Sequence, residues 1–254
     1  MQLRQLILLA SGTFCAHAGE VSSLAAPIVP AAGRADWEFT LGLYSPMMGL
    51  KGDVGVAGRS AAIDIPFKDV LEDLDGGFMA AMELRRGPWS LTGDFIWLKL
   101  SDSYDLSPTA SVVFKQEEIL ASLALGYEIY GNEQTRIEVL AGGALTDQDA
   151  ELQFNTGNTR VAVSGDQTWM DPFLGLRLRH RVSERWTLFA RGDYGGFGVS
   201  SDEYWQALAG LSFRINDRAS LALAYRAISV DYEQGGFTYD ALSSGPNLGV
   251  LIRF

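Results

Sequence analysis

Two histidines and one cysteine are the only conventional base or thiol chemistry in this chain of 254 residues. Cys15 and His17 fall within the first eighteen residues, just after an apolar run from Leu6 to Ala10. That leaves His180, inside the basic stretch "RHRVSER" (179–185). A hydrolase needs a nucleophile or an activated water beside a general base, most often His. His180 sits at the edge of a basic turn, and no catalytic role is read for it. Paired carboxylates can also act on water, and Asp147, Asp149 and Glu151 lie close together in "TDQDAE". A solvated acidic loop accounts for that run without chemistry. Other acids cluster between patterned stretches: Asp69, Glu72, Asp73 and Asp75, Asp102 and Asp105, Asp202 and Glu203, Asp231 and Glu233. Oxygen ligands of this kind attract Ca²⁺ or Mg²⁺, but no spacing matches an EF-hand or a nonapeptide calcium repeat. No catalytic residue, metal site or cofactor is assigned, and the expectation is a protein without enzymatic activity.

The remaining charges fall into a pattern set by the elements that carry them. Four short turn segments, "RRGP" (85–88), "YGNEQT" (130–135), "RVSER" (181–185) and "INDR" (215–218), are flanked by strict apolar–polar alternation. Trp89, Leu91, Gly93, Phe95 and Trp97 alternate with Ser90, Thr92, Asp94, Ile96 and Leu98, for example. Alternation of period two over such lengths marks a strand with two different faces. The four hairpins give eight strands. Trp37 to Leu43 adds one before them and Leu248 to Phe254 adds one after. The connections on the opposite side, roughly 45–76, 101–116, 146–168, 197–203 and 232–245, are longer and polar. In the first of them, "PFKDVLEDL" (66–74) spaces Phe67, Val70, Leu71 and Leu74 as on a short amphipathic helix, expected to cap the mouth of the fold.

Composition narrows the setting. The formal charge is −11, which disfavours nucleic acid as a partner. "MQLRQLILLASGTFCAHA" has a positive start, a short apolar run and an A-x-A ending, the layout of a secretory signal peptide cleaved near Ala18. Cys15 has Gly12, Thr13 and Phe14 before it and lacks the leucine of a lipoprotein signal. No segment after the leader approaches the ~20 apolar residues of a membrane helix, so a membrane location requires strands. The expected division is 1–18 signal peptide, 19–35 short N-terminal segment and 36–254 β-barrel.

The last strand, with Leu248, Val250, Ile252 and Phe254 on one face, resembles the C-terminal signature of Gram-negative outer-membrane β-barrel proteins. The stretch from "WMDPFLGLRLRHRVSERWTLFARGDYGGFG" onward is similar to an uncharacterised proteobacterial group of such barrels. The resemblance implies an all-β, closed, antiparallel, up-and-down transmembrane barrel of about ten strands, with eight and twelve as the neighbouring even counts. It also implies that Leu248, Val250, Ile252 and Phe254 act as an assembly signal. The expected partners are outer-membrane lipid and lipopolysaccharide, the barrel-assembly machinery and periplasmic chaperones, with the protein a monomer. Closure is what physics requires, since a sheet edge in lipid would leave backbone groups unpaired.

Closing the barrel turns the polar row inward. The first half of the chain then contributes Glu38, Glu83, Asp94, Glu118, Glu128 and Glu138, with Arg85 and Arg136 close to turns. The second half contributes Asp171, Arg177, Arg179, Arg191, Asp193, Arg226 and Arg253. In a barrel this narrow, long side chains meet across the lumen, and the acidic row is expected to pair with the arginines. One reading is a lumen filled by mutually satisfied charges, giving a structural or surface-exposed protein. The alternative is a narrow passive channel for small polar solutes, with facing acidic and basic walls. An outer-membrane hydrolase ranks below both.

Overall fold

The computed structural model describes residues 36–254 apart from 57–58, 73, 108–109, 157–158 and 236. The leader, its cleavage point and the segment 19–35 lie outside the described residues. Twelve strand segments follow one another: β1 (Glu38–Pro46), β2 (Gly49–Val56), β3 (Arg59–Ile65), β4 (Leu74–Arg86), β5 (Trp89–Ser107), β6 (Ala110–Gly131), β7 (Thr135–Thr156), β8 (Thr159–Arg181), β9 (Trp186–Gly195), β10 (Glu203–Arg214), β11 (Ala219–Gln234) and β12 (Phe237–Arg253). A short helix α1 (Phe67–Glu72) sits within the first long connection, and its Val70 packs against apolar side chains inside the mouth.

Ten staves close the wall. β1 pairs with β4, each strand from β4 to β12 pairs antiparallel with the next, and β12 returns to β1 from Thr40↔Arg253 to Pro46↔Asn247. β2 continues the β1 stave after a break at Met47, whose amide donates to the Pro246 carbonyl at 2.9 Å. β2 then pairs with the upper part of β12, from Ser244↔Gly49 to Thr238↔Gly55. Gly245 stands opposite that break, where a β-carbon would overlap the Met47 carbonyl. The requirement for no edge in the apolar zone is thereby met.

The outward row forms an apolar band. On β5 it runs Trp89, Leu91, Gly93, Phe95, Trp97, about the nine residues that a tilted strand needs to cross a bilayer core. Aromatic pairs gather at the turn end of the band: Trp89 with Tyr127 at 4.7 Å, Trp186 with Phe213 at 5.0 Å, and Phe39 with Phe254 at 5.6 Å. At the other margin Trp97 donates through Nε1 to Glu117 at 2.8 Å. Beyond that line the outward row turns polar, with exposed Lys99, Lys115, Asp149 and Asp166.

The long polar connections read from the sequence are mostly strand. β5 to β8 are 19, 22, 22 and 23 residues long, and 101–116 and 146–168 continue the ladders almost to their tips. The outward row of these extensions is polar, so the apolar outward row that marks the rest of each strand stops there. Two upright four-stranded blades result, one from the tops of β5–β8 and one from β11, β12, β2 and β3. Between them the wall is low over β9–β10, which are joined by the short connection 196–202.

Candidate functional site

The interior is where charge concentrates. At the turn end, β4, β6, β7 and β8 direct Glu83, Arg85, Glu128, Arg136, Glu138, Arg177 and Arg179 into one cluster. Alternation fixes that choice, since each of these residues shares parity with the buried row of its strand. Glu83 accepts from Arg85 Nε at 3.1 Å, from Arg177 Nη1 at 3.1 Å, and from both Nη atoms of Arg179, the Nη1 contact measuring 3.0 Å. Glu138 accepts from Arg85, from Arg177 Nε at 2.8 Å and from Ser90 Oγ at 3.2 Å. Glu128 lies 2.8 Å from Arg136 Nε and 3.9 Å from Arg85 Nη1. Glu138 and Arg179 are both 0% exposed. The β7–β8 neighbours Glu138 and Arg177 face each other in register, but Glu83 on β4 reaches Arg177 and Arg179 on β8, four staves away in a wall of ten.

A second polar cluster lies farther along the lumen. Asp193 accepts from Arg191 Nε at 2.8 Å and from Gln206, and Gln206 Oε1 accepts from Arg226 Nη2 at 2.8 Å. Asp94 accepts from the Tyr44 hydroxyl at 2.8 Å. Gly175 stands beside Asp193, and a β-carbon there would overlap the carboxylate. Nearer the open end, Asp171 accepts from the Ser201 amide at 2.9 Å and its hydroxyl at 2.8 Å, fastening the 196–202 connection to β8. Apolar side chains fill the rest, with Ile96, Leu120, Phe189 and Leu208 in one cluster. A second cluster at the mouth contains Phe173, Tyr204 and a Trp169–Tyr232 stack at 4.9 Å.

The side chain of Glu118 lies outside the described residues; the other twelve inward charges, Glu38 to Arg253, lie on the inward row, and ten of them, Glu83 to Arg226, join the clusters just described. Glu38 and Arg253 are half-buried at the turn-end rim. First-half acids Glu83 and Glu138 meet second-half Arg177 and Arg179, while the other pairs fall within one half of the chain. Arg191 and Arg226 bind Asp193 and Gln206, while Glu128 and Glu138 serve Arg85, Arg136 and Arg177. Arg85 and Arg136, placed close to turns on the inward row, stand inside the cluster. Their parity with Glu83 and Glu138 was the available signal. His180 bonds through Nδ1 to Thr135 Oγ1 at 2.9 Å at the turn end. Leu248, Val250, Ile252 and Phe254 are exposed on the outward face of β12.

Outside the band, on β10, β11, β12 and β2, Glu203, Asp231, Asp240 and Asp53 lie directly opposite one another in successive ladders, all exposed. Partial burial, followed by the charges of Asp240, Asp202, Glu203 and Glu233, raises the pKa of Asp231. Among the described residues, no group of three or more His, Cys, Asp or Glu is arranged to hold a metal ion.

The described fold can be set beside known proteins. It is similar to the outer membrane protease OmpT from Escherichia coli, with 12% identity, a TM-score of 0.57, and coverage of 91% of this chain and 100% of that one. The fold is that of a bacterial outer-membrane β-barrel. Neisserial surface protein A also matches, at 15% identity and a TM-score of 0.34 over 87% of this chain and 99% of its own. So does Ail, the attachment invasion locus protein of Yersinia pestis, at 14% identity and 0.35 over 86% and 98%. No protein-family model and no curated protein sequence matches the chain. At 12% identity the likeness to OmpT shows the fold alone, and its activity does not transfer to this chain.

Proposed function

We propose that this barrel is a non-conducting, non-enzymatic outer-membrane protein whose role is to hold two β-blades at the cell surface. It reaches the membrane after a leader is removed near Ala18 and functions as a monomer. Its apolar band lies in lipid, its open end faces outward among lipopolysaccharide, and its turn end faces the periplasm. The single observation that carries this reading is the contact of Glu83 on β4 with Arg177 at 3.1 Å on the far side of the lumen. Side chains that bond across a lumen occupy the space that an aqueous path through that level would need. Leu248, Val250, Ile252 and Phe254, with the Phe39–Phe254 ring contact at the closing seam, are the element that assembly machinery would read. The position of His180 at the turn end, away from the acidic open end, supports the absence of hydrolysis.

Conductance of the full chain refolded into planar lipid bilayers tests the proposal. The expected result is no step-like current at any applied voltage within the stability range of the bilayer. Ohmic steps in the parent protein, with ion selectivity altered by Arg177→Gln, would replace the proposal with the channel reading.

A further inference from the structure

The blade formed by β5–β8 has an edge that the wall does not cover. β8 pairs with β7 along its whole length but with β9 only from Phe173 to Arg181. The 196–202 connection then caps two more positions. The Gly196 amide donates to the Pro172 carbonyl at 3.0 Å, and Ser200 Oγ donates to the Met170 carbonyl at 2.8 Å. Above Met170, residues 159–169 have no strand on that side among the described residues. Met170 and Pro172 both turn their carbonyls toward the edge. Since β8 has no bulge there, the same parity turns the backbone groups of residues 160, 162, 164, 166 and 168 toward it. An unpaired edge of this length is a template for another extended chain.

The space beside that edge is bounded. β9 and β10 are missing above the connection, so β8 and β11 stand three strand spacings apart, roughly 14 Å. The Trp169–Tyr232 stack closes the inner side, and Tyr232 also approaches Gln167 at 3.5 Å. Asp202 and Glu203 at its floor and Asp231 on its far wall are exposed, with exposed Asp240 on the next strand. Like charges directly opposite across strands are destabilising, and cationic side chains beside them would relieve that repulsion. Partial burial, and after it the same crowding, raises the pKa of Asp231.

We infer that this slot binds an extended, positively charged polypeptide segment by strand addition to β8. The backbone of the incoming chain pairs with residues 160–168. Its Lys or Arg side chains on the outward face of the added strand reach Asp202, Glu203 and Asp231. Main-chain bonds supply affinity and the acids supply selectivity, as in other strand-addition sites.

The test uses the full chain in phosphatidylcholine vesicles and a fluorescent peptide of alternating Lys and Val, about ten residues long. A second peptide of the same sequence is N-methylated at alternate residues, which keeps its charge and removes half of its backbone donors. The inference expects binding by the parent peptide, weakened about tenfold or more by N-methylation. Ala162→Pro with Ser164→Pro removes edge donors at positions where a strand tolerates proline, and should weaken the unmodified peptide by a similar factor. Glu203→Gln with Asp231→Asn should weaken it several-fold and flatten its salt dependence. Equal binding of the two peptides would overturn the inference and leave charge attraction alone. No binding above that of protein-free vesicles would also overturn it. The N-methylated comparison is made on the parent protein, so it decides the matter even if the proline variant fails to insert.

Discussion

Replacing Glu83 by Gln keeps the shape of the side chain and removes the charge on which three arginines converge. In the parent cluster Glu83, Glu128 and Glu138 face Arg85, Arg136, Arg177 and Arg179. After the change two carboxylates face four guanidinium groups. Glu83 accepts from Arg85 at 3.1 Å, from Arg177 at 3.1 Å and from Arg179 at 3.0 Å, and each of these groups is almost wholly buried. Hydrogen bonds to charged groups are each worth roughly 1.5–3 kcal/mol. The neutral amide keeps a weaker share of them, so their sum overstates the loss. Breaking one partner of a buried pair costs ~3–5 kcal/mol, and three dependents place Glu83→Gln toward the upper part of that range. Reversible urea unfolding from lipid vesicles measures it. Glu83→Gln with Arg179→Gln should recover part of the loss, because one stranded cation is removed with its partner. If Glu83→Gln unfolds within ~0.5 kcal/mol of the parent, the range of an ordinary surface substitution, the cluster is hydrated and the filled-lumen reasoning fails.

Leu223→Arg or Leu123→Arg, on outward positions 58% and 50% exposed, should cost ~2–4 kcal/mol in the same unfolding assay if they face mid-bilayer; no loss at either would remove them from lipid. Gly175→Ala should displace the Asp193 carboxylate and with it the support of Arg191, lowering stability, whereas Gly192→Ala, whose β-carbon would meet nothing nearer than 3.9 Å, should stay within ~0.5 kcal/mol. Phe254→Ala loses the 5.6 Å contact with Phe39 and should reduce the fraction of chain reaching a heat-modifiable form in outer-membrane fractions; an unchanged fraction would count against the assembly signal. Because the Asp231 carboxyl is raised in the folded state, its contribution favours the fold at low pH and is lost as pH rises through the folded value. Asp231→Asn should therefore make the β11–β12 hairpin more resistant to proteolysis at neutral pH, with little change in acid.

Strand number and facing were legible because lipid on one side and packed side chains on the other impose a two-residue period. Leu221, Leu223 and Tyr225 against Ala222, Ala224 and Arg226 show it without help from tertiary structure. Which charge meets which was not legible. Neighbours in a barrel wall depend on how far each strand slides along the next, and Glu83 finds Arg179 through four such offsets. Nothing local to either residue encodes that sum. The surface blades were hidden for a different reason. Beyond Trp97 and Glu117 the outward row is polar, so Lys99, Lys115 and Asp149 look like loop residues although their backbones are laddered. The uncovered edge of β8 was hidden likewise, because it follows from where β9 stops.

The contacts that cross the lumen also bear on how the wall carries load. A hollow cylinder squeezed from the side flattens by bending its wall, which is an easy deformation for a thin sheet. Glu83 with Arg177 and Arg179 acts as a strut between nearly opposite staves. Flattening along one diameter lengthens another, so ovalisation at that level must pull charges apart. The open end has no ionic strut of this kind among the described residues, and it is two strands short above β9–β10. Lateral pressure from the surrounding lipid is therefore borne by a braced hoop at the turn end, and change of cross-section is confined to the rim that carries the blades.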